Sequence, residues 1–294
     1  MATFKSIPTG DLTKFYNNDS DATELLLAWK GSPYISEKNL DYFQTYSDLL
    51  KKYRGKPCTL IEIGVKDGGS LHMWQKWLGK ETTIVGIDLN HETKKLEADG
   101  FKIFVGDQGD PDFLNDTFKK INGFDILIDD GSHTLLQQIN TITVALKNLR
   151  KKANIIVEDT QVSFMKKFQK NQEKSFLDFA KDVSDLLTAR HINCLKDDDD
   201  LRREFPSVLN VNALKTFGAV QSVQFFPGIV HFQCNPHNKI YGHAVVNKAE
   251  DSKVEDFRGK GINCSTVDWP YAFTVEKIKL NNSDMPLYYP DEKV

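Results

Sequence analysis

The stretch Asp125-Ile-Leu-Ile-Asp129-Asp130-Gly-Ser-His133 is a short β-branched run that ends abruptly in acids. Further along, Ile155-Ile156-Val157-Glu158-Asp159 repeats the form. Buried parallel strands read this way when their C-terminal ends open onto a site. Two such ends, side by side, deliver Asp129, Asp130, Glu158 and Asp159, with His133 one short turn away. Carboxylates crowded at one sheet edge raise each other's pKa unless a cation lies among them. A divalent metal held by oxygen ligands, with a histidine beside it as base, is the reading this pattern supports.

Outward from this pair the alternation continues. Strand-like runs occupy 59–64, 83–88, 102–105, 124–128 and 154–157, with amphipathic helical stretches at 71–78, 111–121 and 135–149 between them. Strand–helix alternation predicts a parallel sheet covered on both faces. Residues 1–55 are helix-prone, interrupted by a loop at Lys30-Gly-Ser-Pro-Tyr34, and carry aromatics (Tyr42, Phe43, Tyr46, Tyr53) at the spacing of a buried helix face. The segment Val220 to Cys234 reads as two strands joined by a Pro-Gly turn, an antiparallel hairpin for the sheet edge. Residues 161–215 read as polar helix broken by Asp197-Asp-Asp-Asp200, a solvated acid run without the spaced ligands of a calcium loop.

Composition narrows the function classes. A chain of 294 residues that is 40% hydrophobic and 27% charged is an ordinary globular protein. A net charge of −3 without a basic stripe gives no reason to expect nucleic acid. No apolar run reaches membrane-span length, and Met-Ala-Thr-Phe-Lys lacks a signal core. Cys58, Cys194, Cys234 and Cys264 show no CxxC spacing and read as reduced thiols of a cytoplasmic protein.

Three strand ends in succession present acids and glycines. Glu62-Ile-Gly64-Val-Lys-Asp-Gly68-Gly69-Ser70 runs from a strand through glycines into a helix, so backbone can approach a ligand closely. It is not the GxGxxG of dinucleotide binders, and Glu62 would repel a phosphate but welcome a cationic ligand. Asp88, ending Gly86-Ile-Asp88, suits the hydroxyls of a ribose. Gly106-Asp107-Gln108 is placed to read an adenine edge. The plainer reading, that these are only turn and cap residues, weakens when three strand ends in order share it.

These motifs, with Asp-Asp-Gly-Ser-His at 129–133 and Val-Glu-Asp-Thr at 157–160, resemble the class I S-adenosylmethionine-dependent methyltransferases. More narrowly, they are similar to the metal-dependent O-methyltransferases of macrolide deoxysugars and their cephalosporin-hydroxylase-like relatives. The resemblance covers about residues 40 to 165. It implies an α/β fold, a Rossmann-like, seven-stranded, mostly parallel sheet with helices on both faces, an N-terminal helical lid and a C-terminal extension. The corresponding boundaries are 1–55 for the lid segment, 56–234 for the methyltransferase core and 235–294 for the extension.

The same resemblance implies that Asp130, Glu158 and Asp159 bind Mg2+ and that His133 is the general base. It assigns Glu62, Gly64, Gly69, Ser70, Asp88, Asp107 and Gln108 to S-adenosylmethionine. Asp129 either joins that cofactor set or anchors the loop. Tyr34, in the segment 30–39, stands where the family uses a lid tyrosine near the substrate. The implied activity is Mg2+-dependent methylation of a sugar hydroxyl on a small-molecule natural product or a glycan, by a homo-oligomer without a nucleic-acid or membrane partner. Alternatives are a catechol-like phenol as acceptor, a hydroxylase-like relative, or a protein that binds the cofactor without turnover. For His133 the competing role is capping the helix that starts near Thr134, and Trp74 and Trp77 read as packing residues.

Overall fold

The computed structural model describes residue 16 and residues 19–169, 174–189 and 216–238. The acid run 197–200, Cys194, Cys264 and nearly all of the expected extension lie outside the described residues. By contacts the chain divides into two units, residues 1–184 with 216–238 and residues 185–215 with 239–294. The sheet belongs to the first of these units.

Seven strands form one sheet in the order β3-β2-β1-β4-β5-β7-β6. They are β1 (Cys58–Ile63), β2 (Thr82–Asp88), β3 (Lys102–Val105), β4 (Ile126–Asp129), β5 (Ala153–Val157), β6 (Val220–Phe226) and β7 (Ile229–Cys234). β1 to β5 pair in parallel, whereas β7 runs antiparallel to β5 and to β6. The expected hairpin is therefore present, with its second strand inserted next to β5 and its first at the edge. Before the sheet come α1 (Ser20–Lys30) and α2 (Leu40–Leu50). The crossovers are α3 (Gly69–Leu78), a 3-10 segment at His91–Asp99, α4 (Pro111–Ile121) and α5 (Leu135–Lys147); α6 (Lys166–Gln169) and α7 (Phe176–Ala189) follow β5. Among the described residues, no helix is long and apolar enough to cross a membrane.

Local chemistry explains the element ends. Asp19 caps α1 by accepting from Ala22 N at 3.1 Å. Asp110 caps α4 by accepting from Asp112 N and Phe113 N, and Pro111 supplies a helical φ at no hydrogen-bonding cost. β1, β4 and β5 are almost wholly buried, as central parallel strands are. Leu25, Leu26, Tyr42, Phe43, Tyr46, Trp74 and Trp77 of the first three helices form one apolar cluster with Leu60 and Ile84 of the sheet. A fully buried leucine or phenylalanine contributes about 1.5–3 kcal/mol, so this cluster holds α1 and α2 firmly to the sheet. Trp74 and Trp77 are packing residues, as read from the sequence. Cys58 and Cys234 are buried free thiols.

His231 of β7 is buried against Asn154 (3.1 Å) and Gln224 (2.9 Å). Burial pulls its pKa from an ordinary 6.5 to about 4, aided by the charge of Lys52. Between these values the unfolded chain binds a proton that the folded chain refuses, so stability falls as pH drops from 6.5 toward 4. The shift corresponds to about 3 kcal/mol. Urea denaturation of wild type and His231→Gln across this range is expected to show the wild type losing that much relative to the variant. Parallel stability curves would place the titration elsewhere.

Candidate active site

β1 is central: the chain leaves it through α3 toward β2 and β3 on one side and returns from β3 through α4 to β4 on the other, so the crevice opens at the C-terminal ends of these strands. Register then decides which residues meet there. Ile63 of β1 lies beside Asp129 of β4, and Asp129 beside Val157 of β5. The next residues, Gly64, Asp130 and Glu158, emerge at one level, where Asp130 N donates to Ile63 O and Glu158 N to Asp129 O, both at 2.9 Å. A Cβ on Gly64, whose φ is +90°, would lie 2.0 Å from the Asp130 carbonyl oxygen. Only glycine permits the two strand ends to approach so closely.

A cavity of about 590 Å3 occupies the crevice. Gly64, Ser70, Asp88, Asp107 and Gln108 of the expected cofactor set line it. Asp88 accepts from Val65 N and Lys66 N through one oxygen and from Asn90 N through the other, each at 2.8 Å. It therefore shapes the β1–α3 loop as well as facing the cavity. Asp107 binds Gly109 N at 2.6 Å. Glu62, Gly69 and Asp129 lie behind this wall. Gln108 donates to both oxygens of buried Asp129 at 2.7 Å and accepts from Ser132 N at 3.1 Å, which ties the 129–132 loop to the end of β3. Asp129 thus anchors the loop. Gly69 leaves room for the Tyr34 and Ile35 carbonyls, which a Cβ there would meet at 2.5 and 2.7 Å.

The acids separate into two groups that share Asp130. In the outer group, ligand atoms of Asp130, His133 and Asp159 lie within 4.8 Å of one another, all partly exposed to the cavity. His133 Nε2 is 3.6 Å from Asp159 Oδ2 and 3.9 Å from Asp130 Oδ1. His133 and Asp159 both have left-handed backbone, at φ +57° and +54°. Such strain in two facing non-glycine residues persists where the surroundings enforce it, characteristically at functional sites. His133 is not the helix cap; Thr134 occupies that position on α5.

In the inner group, Glu62, Asp130 and Glu158 surround the ammonium of Lys38, which is 1% exposed. Lys38 Nζ donates to Asp130 Oδ2 at 2.5 Å and to both Glu158 oxygens at 2.8 Å, and lies 3.6 Å from Glu62. The Tyr46 hydroxyl donates to Glu158, and the Tyr42 hydroxyl to Asp159 at 2.6 Å. Burial raises Glu62 to about 7, with Lys38 opposing. Burial and the Asp130 charge also raise Glu158. Burial works against the charge of Lys38, but Asp130, Glu158 and Glu62 together hold its pKa well above the usual range, so it remains an ammonium. Of the three expected magnesium carboxylates, Asp130 and Asp159 lie together with His133, while Glu158 turns to Lys38 and Tyr46.

No family model matches the sequence. The 8-demethyl-8-alpha-L-rhamnosyl tetracenomycin-C 2'-O-methyltransferase of Streptomyces olivaceus is 25% identical over 221 residues, covering 72% of this chain and 54% of its own length. The mycinamicin VI 2''-O-methyltransferase of Micromonospora griseorubida is 29% identical over 164 residues, 48% of this chain and 40% of its own. A solved methyltransferase of the mycinamycin biosynthetic pathway, in complex with Mg and SAH, superposes with a TM-score of 0.59 at 21% identity, over 73% of this chain and 54% of that one. The fold is that of the class I S-adenosylmethionine-dependent methyltransferases. The chain spans about half the length, or less, of the relatives it matches.

Within this methyltransferase fold, three site residues escape a reading of the sequence. Tyr42 and Tyr46 stand one helical turn apart on α2, and that spacing announces a buried face but not hydroxyls aimed at acids. Lys38 carries no local signal, since its partners lie 92 and 120 residues away. Tyr34, expected as a lid tyrosine near the substrate, packs edge-on against His72 at a ring distance of 5.2 Å.

Proposed function

We propose that this chain transfers the methyl group of S-adenosylmethionine to a hydroxyl of a sugar, on a glycosylated natural product or a polysaccharide, with Mg2+ as cofactor. The observation that carries this reading is that Asp130, His133 and Asp159 open into the same cavity as Asp88 and Asp107. The nucleoside end and the reacting end of one cofactor then have places at adjoining strand ends. The likeness to sugar O-methyltransferases supports the acceptor class.

The donor set fits the metal. Two carboxylates offer hard oxygens, and the cavity leaves room for water and substrate oxygens, which magnesium retains in its shell. Bound there, the ion would lower the pKa of an alcohol, a poor nucleophile at neutral pH. Asp130 and Asp159 hold the reacting end, and Tyr42 fixes the Asp159 carboxylate. His133 Nε2 accepts the hydroxyl proton as the oxygen attacks the methyl carbon. The C–S bond breaks with its electron pair going to sulfur, which leaves a neutral thioether. Asp88 and Asp107 would bind the nucleoside portion, and buried Glu62 would add negative charge from behind the cavity wall.

Calorimetric titration of S-adenosylmethionine and S-adenosylhomocysteine, with and without Mg2+, tests this on wild type and Asp88→Ala. Micromolar binding by the wild type and at least tenfold weaker binding by the variant are expected, followed by turnover of glycosides in an acceptor panel. Turnover of catechols alone would replace the sugar with a phenol. Absence of binding to either ligand would overturn the methyltransferase reading.

A further inference from the structure

Lys38 lies in the segment between α1 and α2, five of whose residues, 35–39, line the cavity. The segment is fastened at both ends: Ser32 Oγ donates to Gly69 O at 2.8 Å, and Lys38 enters the inner acid group. There both oxygens of Glu158 accept from Lys38, and Oε1 accepts from Tyr46 as well. Asp130 is divided, with Oδ2 on Lys38 and Oδ1 facing His133. Asp159 is engaged through Oδ1 by Tyr42 and presents Oδ2 toward His133.

We propose that Lys38 is a positioning residue for the divalent cation, occupying Glu158 and one oxygen of Asp130 so that Asp130 Oδ1 and Asp159 Oδ2 are the anionic ligands. This rests on the metal-dependent reading of the site given above. The physical ground is twofold. With both oxygens accepting from the ammonium and Oε1 also from Tyr46, Glu158 keeps only one of its four lone-pair sites, and an ammonium fixed 2.8 Å from those oxygens repels a second cation there. Lys38 also sets a positive charge among Glu62, Asp130 and Glu158, which offsets their mutual repulsion. It thus separates a permanent inner cation position, filled by the chain itself, from an exchangeable outer one.

The test is Mn2+ binding to the full chain without S-adenosylmethionine, read from the electron paramagnetic resonance of the free ion. Glu158→Gln is expected to bind within about threefold of wild type, whereas Asp159→Asn weakens binding at least about tenfold, the scale of a disturbed metal shell. Lys38→Met frees Glu158 and is expected to bind at least tenfold more tightly or to take a second ion, an increase that a merely structural lysine would not produce. Adding Glu158→Gln to Lys38→Met should return the affinity to the wild-type value. Should Lys38→Met fail to fold, the two single variants in the Lys38 background still decide. Equal weakening by Glu158→Gln and Asp159→Asn overturns the proposal, as does unchanged or weaker binding by folded Lys38→Met. Absence of Mn2+ binding to the wild type overturns the metal reading itself, and the cofactor titration above then shows whether methyl transfer survives without it.

Discussion

Replacing His133 with alanine is expected to lower kcat by about 10^2- to 10^4-fold, the usual contribution of a positioned general base, while S-adenosylmethionine binds as in the wild type. The ring stands at the mouth of the outer acid group, with Nε2 3.6 Å from Asp159 and 3.9 Å from Asp130. Its backbone is held at φ +57°, and the N-cap position of α5 belongs to the neighbouring Thr134 rather than to the histidine. The proposed cofactor contacts of Asp88 and Asp107 do not involve the imidazole, so affinity and rate should separate. Single-turnover kinetics with saturating donor, beside calorimetry of donor binding, would check this. A rate loss below about tenfold would move the base to another group.

Asp130→Ala is expected to weaken cation binding and turnover together. Mn2+ affinity should fall by about 100-fold or more and kcat by about 10^3-fold. Asp130 is the one carboxylate common to both groups, joined to Lys38 through Oδ2 and facing His133 through Oδ1. Its backbone is fixed independently by Ile63 O and by close packing on Gly64, so the strand end should keep its place without the side chain. Lys38 retains Glu158 and Glu62, and one negative charge is removed from a crowded set. Thermal denaturation should therefore change by only a few degrees, the scale of about 1 kcal/mol in a protein of this size. Collapse of the fold would instead make Asp130 a structural residue, and retained Mn2+ binding would place the metal elsewhere.

Most of the sheet is legible in local pattern. The run 102–105 coincides with β3 and 111–121 with α4, while the other strand and helix bounds differ by one or two residues. Buried parallel strands are continuous apolar runs, and helix caps are single residues with one chemical task, so both are written locally. The acidic strand ends are equally plain, because a carboxylate following a β-branched run has few structural uses. The roles within the site are less so. Gln108 and Asp129 stand where a cofactor contact is expected, yet they bind each other. Gly69 serves the approach of the 34–35 backbone rather than lining the cavity.

By itself, the sequence determined the order of strands and helices, the hairpin at 220–234, and the set of acids and histidine that gathers at the sheet's C-terminal edge. Only the tertiary structure decided how those acids are divided. That division depends on Lys38, Tyr42 and Tyr46, brought 92 to 120 residues along the chain to their partners by the packing of α1 and α2 on the sheet. Periodicity records which face of a helix is buried, but not which charge it meets across the core. A buried carboxylate is neutralised by whatever cation the fold places within reach, and that proximity is a property of register and packing rather than of neighbours in sequence.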